Sequence, residues 1–314
     1  MWWLPERRFT PDLVVGLLLV ALTAYVVMET NNTYQVIRVR SRMMSSVWLF
    51  LSASVIPFHS FSPVLLATFC LAVSIYLLFR TYQQPQPVVD TFHSFLLLAL
   101  GSIVLPQMAL FAPFFLWYFI VFMRAISLRS FFAGLLGLVL PFWFWAAWQI
   151  WIGDLSPLLA WWRDLLSTVD EGLVPLVQAG GWQAVWDKVS AWQSDFYLSN
   201  ATFLVLFFLT FWTSVYYLEN SFDDKIRTRM MMYVYLMQSW LIIILSVVTF
   251  QFTAFIPLLM FSVTPLLAHY FTLRNTWVAL IVFLLTVAVF IIIFVNPATM
   301  MEYFLYLCRT FQEN

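Results

Sequence analysis

Charge is what this chain has least of. Only 10% of its 314 residues are Asp, Glu, Lys or Arg, against about 25% in a soluble domain, so it cannot clothe an ordinary water-facing surface. The 15 basic and 15 acidic side chains cancel, which removes the overall basic field that a nucleic-acid partner would need. Glycine is scarce, at eight residues, and no Gly-rich phosphate loop, H-E-x-x-H or G-x-S-x-G pattern occurs. Cysteine is scarcer still. Cys70 and Cys308 offer neither a disulfide framework nor metal spacing and read as small hydrophobes, so no cofactor or metal is expected.

What is present is apolar, 63% of the chain. Between Arg229 and Arg274 lie 44 residues with no charge (positions 230–273). As one helix they would reach roughly 66 Å, whereas a bilayer core is about 30 Å thick. The stretch must cross, turn and return. The expected fold is therefore all-α, a single polytopic membrane domain over 1–314.

Gaps between charges then measure the topology. Leu13–Met28, Ser130–Gly153, Phe196–Leu218 and Asn275–Met301 each fit one crossing. Met43–Phe79, Thr91–Met123 and Met230–Leu273 are too long and predict hairpins, giving about ten spans. Pro57-Phe58-His59-Ser60 with Pro63 breaks the first hairpin and Pro106-Gln107 the second, because proline lacks an N–H and clashes with the preceding turn. The arms of the second are short enough that a re-entrant pair is the alternative. The third is expected to break near Thr249-Phe250-Gln251. Arg7 and Arg8 ahead of Leu13–Met28 resemble a signal peptide, but no small-residue cleavage pattern follows, and we read a retained first helix.

A hairpin returns to its starting side, so its flanking charges share that side. One side then holds Arg38, Arg40, Arg42, Arg80, Arg124, Arg129, Lys225, Arg227, Arg229 and Arg274; the other holds Arg7, Arg8, Arg163, Lys188 and Arg309. Ten against five places the first group in the cytoplasm by the positive-inside bias, against the opposing pull of Arg7-Arg8. Arg38, Arg40, Arg42, Arg227 and Arg229 are expected to anchor the topology on anionic headgroups. Glu29, Glu219, Asp223 and Asp224 on that side read as salt-bridging loop residues.

The long polar loop 154–195 falls outside, followed much later by a short tail at 296–314. Ser156-Pro157 starts a helix, and Leu158, Trp162, Leu165, Leu166 and Val169 form its apolar face; a second helix after Gly180-Gly181 turns Val185, Val189, Trp192 and Phe196 to one side. Both are expected to lie on the outer surface, with Trp at the boundary. The weak catalytic candidates are its acids Asp164, Asp170, Glu171 and Asp187, which could serve a lipid-linked substrate as base or metal ligand; solvated helix faces explain them as well. No charge lies at the middle of any span, which argues against an ion-driven transporter. His59, His93 and His269 fall near span ends with no ligand spacing. The repeated Phe-His-Ser-Phe at 58–61 and 92–95 reads as chance.

The runs Ile37-Arg38-Val39-Arg40-Ser41-Arg42-Met43 and Leu78-Phe79-Arg80-Thr81-Tyr82-Gln83-Gln84-Pro85-Gln86-Pro87, with Gly134, Gly137 and Pro141 after Arg129, resemble an uncharacterised family of multi-span inner-membrane proteins of Bacteroidota. The resemblance implies a bacterial inner-membrane setting and brings no activity or site residues. Three functions are open: a subunit of an envelope assembly or export process, a membrane-embedded transferase or polymerase for a lipid-linked glycan, and a transporter or flippase for a lipid or apolar substrate. The implied partners are membrane lipids with other envelope membrane proteins or a lipid-linked substrate, and no nucleic acid.

Overall fold

Hydrocarbon offers a peptide group no hydrogen-bond partner, so a chain this apolar satisfies its backbone within helices. The computed structural model describes residues 11–38, 41–54, 61–167, 197–249 and 251–273, and seven positions within 277–288 (277, 281, 283, 284 and 286–288). Among them every regular element is helical. In chain order these are α1 (Pro11–Tyr34), α2 (Met43–Ser54), α3 (Pro63–Arg80), α4 (Val88–Val104), α5 (Ala112–Trp117), α6 (Leu128–Ile152), α7 (Ser156–Ser167), α8 (Tyr197–Asn220), α9 (Ile226–Thr249) and α10 (Phe252–Leu273). A 3₁₀ segment, Pro106–Phe111, precedes α5, and a π-turn, Tyr118–Phe122, follows it.

Among the described residues six helices are long and apolar enough to cross a membrane: α1, α3, α6, α8, α9 and α10. The ten-span expectation resolves into these six, three shorter apolar segments (α2, α4 and Pro106–Phe122), and a tenth at 275–301 that lies almost wholly outside the described residues. The reason is length. The charge-free gap 91–123 is wide enough for a hairpin, but the break at Leu105 leaves α4 with 17 residues, short of the about 20 that a crossing takes; α2 is described over 12 residues, and positions 55–60 after it lie outside the described residues. The breaks fall where proline puts them. Pro63 opens α3 behind an extended Ser62, and Pro106 opens the 3₁₀ segment behind an extended Leu105. The third hairpin turns between Thr249 and Phe252, as its sequence suggests.

The most enclosed helix is α10, with 89% of its apolar window buried. It packs on α8, α9, α2 and α3; α3 leads outward to α1 and α4, and α4 to α6. At the periphery, α6 has only 28% of its window buried. It meets α4 along Ser130, Gly134, Gly137 and Pro141, one helical stripe of small or compact residues. A Cβ added at Gly137 would run into the carbonyl of Phe92, and one at Gly134 would lie 3.1 Å from the ring of Phe95. Backbones approach this closely only where side chains are missing.

Hairpin return is visible at the basic end. The Gln83 N–H donates to Met123 O at 2.8 Å, so the flanks carrying Arg80 and Arg124 lie side by side. Arg38 donates to Asp223 O at 3.2 Å, Thr228 donates to Gln35 O at 3.1 Å, and the Ser41 hydroxyl sits 3.3 Å from that of Thr272. Arg227 stacks over Tyr34 and Tyr82. The loops after α1, α3, Phe122 and α8, together with the end of α10, thus gather at one end; Arg40 and Arg274 lie outside the described residues. At the other end Phe61 N–H donates to Asp12 O at 2.9 Å and Gln107 to Gln251 at 2.8 Å.

Gly137→Val is expected to push α6 off α4 and cost about 1–3 kcal/mol, the usual scale of overpacking. Leu136→Ala on the exposed face of α6 serves as control, and thermal unfolding in nanodiscs reads the difference.

Candidate functional site

Two places gather chemistry or space. The first is at the basic end. After α8 a 3₁₀ turn, Ser221–Asp223, closes with Asp224 N–H donating to Ser221 O at 3.3 Å, and this swings the Asp224 side chain inward. Its Oδ2 lies 3.0 Å from His269 Nε2 on α10, and both side chains are 1% exposed. With the carboxylate accepting, Nε2 carries the hydrogen. Tyr217 of α8 sets its ring edge to face with His269 at 5.1 Å, and Tyr233 of α9 packs on Tyr217 at 5.9 Å. Arg229 does not pair with the carboxylate. Its guanidinium donates to the carbonyls of Phe222 and Asp224, both at 3.2 Å, and lies over the Phe222 ring. Asp224 Oδ1, His269 Nδ1 and the Tyr217 hydroxyl are buried with no partner among the described residues.

A carboxylate-held imidazole is the arrangement that orients a catalytic histidine. Here the pair is closed over, so in this form it acts as a clasp between the α8–α9 turn and the centre of the bundle. The sequence reading grouped Asp224 with salt-bridging loop residues and placed His269 only near a span end, so it did not pair the two. The signal was available: the same-end topology puts the 219–224 acids and His269 at one end of the bundle.

The second place is under α7. This helix forms where the sequence predicts, led by the Asp154 carboxylate, which accepts the Ser156 N–H at 2.9 Å. Hydrogen bonds from Ser156, hydroxyl first and amide second, hold the Asp154 carboxyl below its ordinary pKa. The inward face differs from expectation. It is Leu158, Trp161 and Leu165, with Trp161 buried and Trp162 half exposed. The cause is one hydrogen bond. Pro106 has no N–H to offer the carbonyl of Ser102 four residues back, and the Trp161 indole donates to that carbonyl at 2.8 Å instead. Phe142 and Trp162 pack edge to face around the Trp161 ring at 5.0 and 5.1 Å. Beside this tether, α4, the Pro106–Phe111 turn, the start of α5, α6 and α7 line an apolar cavity of about 470 Å³, open on one side.

The other expected residues are dispersed. Asp164 is exposed on α7, and Asp170, Glu171, Asp187 and His59 lie outside the described residues. His93 is exposed on α4, its Nδ1 2.8 Å from Val89 O, and His269 is buried on α10, so these two histidines do not meet. Among the described residues no group of three or more His, Cys, Asp or Glu could hold a metal. Arg38, Arg42 and Arg227 remain exposed at the gathered end, while Arg229 is half-buried in the turn.

His269→Ala is expected to cost about 3–5 kcal/mol, because it strands a buried carboxylate; replacing both partners, as His269→Phe with Asp224→Leu, recovers most of that. Denaturation of the purified protein in nanodiscs measures both. Trp161→Phe removes one donor, for a loss of about 1–3 kcal/mol, and speeds amide exchange through α7, read by hydrogen–deuterium exchange. No family model, curated protein or solved structure matches this chain.

Proposed function

We propose that this chain is a multi-pass subunit of a bacterial envelope assembly or export process, resident in the inner membrane with its gathered basic end in the cytoplasm. One observation carries the reading: several buried polar side chains tie one helix or turn to another. Asp224 with His269 clasps the basic end, Tyr118 donates to Gln238 of α9 at 3.2 Å, Gln107 donates to Gln251 at the far end, and Ser74 and Ser94 exchange bonds between α3 and α4 at 2.7 and 2.8 Å. Such ties suit a fixed body on which other membrane components assemble. Turnover of a lipid-linked glycan at the outer face is the second reading, and the apolar cavity beneath α7 favours it.

Single substitutions Asp164→Asn, Asp170→Asn, Glu171→Gln and Asp187→Asn separate the two. An assembly subunit tolerates all four in complemented deletion cells and co-purifies with a stoichiometric membrane partner. Loss of function in any one, at normal protein level, overturns the assembly reading in favour of the transferase.

A further inference from the structure

The geometry points to the cavity beneath α7 as a binding site for one alkyl chain of a membrane phospholipid. Its volume, about 470 Å³, falls within the roughly 300–1,000 Å³ of small-molecule sites. Its wall is mainly hydrocarbon, from five segments: Leu98 of α4, Ala109 of the turn, Ala112 of α5, Leu138 and Ala146 of α6, and Leu158 and Leu165 of α7. The polar lining residue is Ser102. Its hydroxyl is bonded to Ala99 O at 2.8 Å and its carbonyl accepts from Trp161. A water molecule needs two to four polar partners to settle, and this predominantly apolar wall offers few. A lipid tail needs none.

The way in comes from the bilayer side. Val139 and Trp143 of α6 line the cavity and are 50% and 70% exposed, and Trp162 of α7 is 50% exposed. They continue the outward apolar face of α6, where Phe132 and Leu136 are also exposed, so the cavity is continuous with the surface that a membrane-spanning α6 gives to lipid. The origin of the space is the short hairpin. α4 stops at Val104 after 17 residues, the chain turns back at Pro106, and α7 is laid across the tip. No ionised group lines the cavity to fix a phosphate inside, so the headgroup stays at the level of α7, where Arg163 and Asp164 are exposed.

The inference shares its site with the second functional reading but does not require transfer chemistry. The test is an ordinary phospholipid. Full-length protein in nanodiscs containing phosphatidylglycerol with a diazirine at the end of one acyl chain is irradiated, and labelled residues are mapped by mass spectrometry. Labelling is expected at Ala109 and Leu158, inside the cavity, as well as on the outer face at Phe132 and Leu136. Ala146→Trp, which fills the cavity, should abolish the inner labels and spare the outer ones; Ala147→Trp, on the exposed face, should change neither. Leu138→Phe is the smaller filling variant if Ala146→Trp does not fold. Outer labels without inner ones, or inner labels that survive both filling variants, would overturn the site. Positive labelling in a protein that tolerates all four acid substitutions keeps the lipid site while removing the transferase.

Discussion

A bilayer core solvates neither a peptide group nor a charge; this chain satisfies the first demand within its helices and the second by keeping charge near their ends. Only 10% of residues are Asp, Glu, Lys or Arg, and most of those described lie toward helix ends or in the loops between helices. At the basic end the loop after α1 is sewn to the α8–α9 turn and the start of α9 by side chains that reach backbone carbonyls: Arg38 on Asp223, Thr228 on Gln35, Arg229 on Phe222 and Asp224. Bonding to carbonyls rather than carboxylates needs no exact charge match, and Arg42, Arg124 and Arg129 at the same end are exposed.

Much of this arrangement could be read from spacing. The gap widths and the return of each hairpin were legible because charge marks helix ends and proline marks turns. Arg80 and Arg124 were assigned to one side on that basis alone, and the Gln83–Met123 bond joins their flanks. The length of each arm was not legible. A gap without charge gives an upper bound on helix length, and α4 falls well short of it. The inward side of α7 was off by one residue because apolar periodicity cannot tell Trp161 from Trp162. Only the carbonyl freed by Pro106 decides between them.

The Asp224–His269 pair shows a different limit. Sequence position placed Asp224 in a polar turn, and polar turns are usually solvated. What buries it is the 3₁₀ closure at Ser221–Asp223 together with the depth of His269 in a helix surrounded by α8, α9, α2 and α3. The site candidates drawn from acids in the outer loop rested on residue type alone. The structure leaves the one it describes, Asp164, on an exposed helix face, while the two features with shape, the clasp and the cavity, lie where tertiary packing put them.

The Trp161 tether has a consequence for how the protein is made. The carbonyl of Ser102 waits for a donor 59 positions further along the chain. Until the ribosome has delivered α7, the tip of the α4 hairpin carries an unsatisfied polar group that is costly in lipid and tolerable in water or inside a translocon. Insertion of that hairpin is therefore complete only after α6 has crossed and α7 has come down over it, which makes the 88–167 region a single unit of membrane biogenesis rather than a series of independent helices.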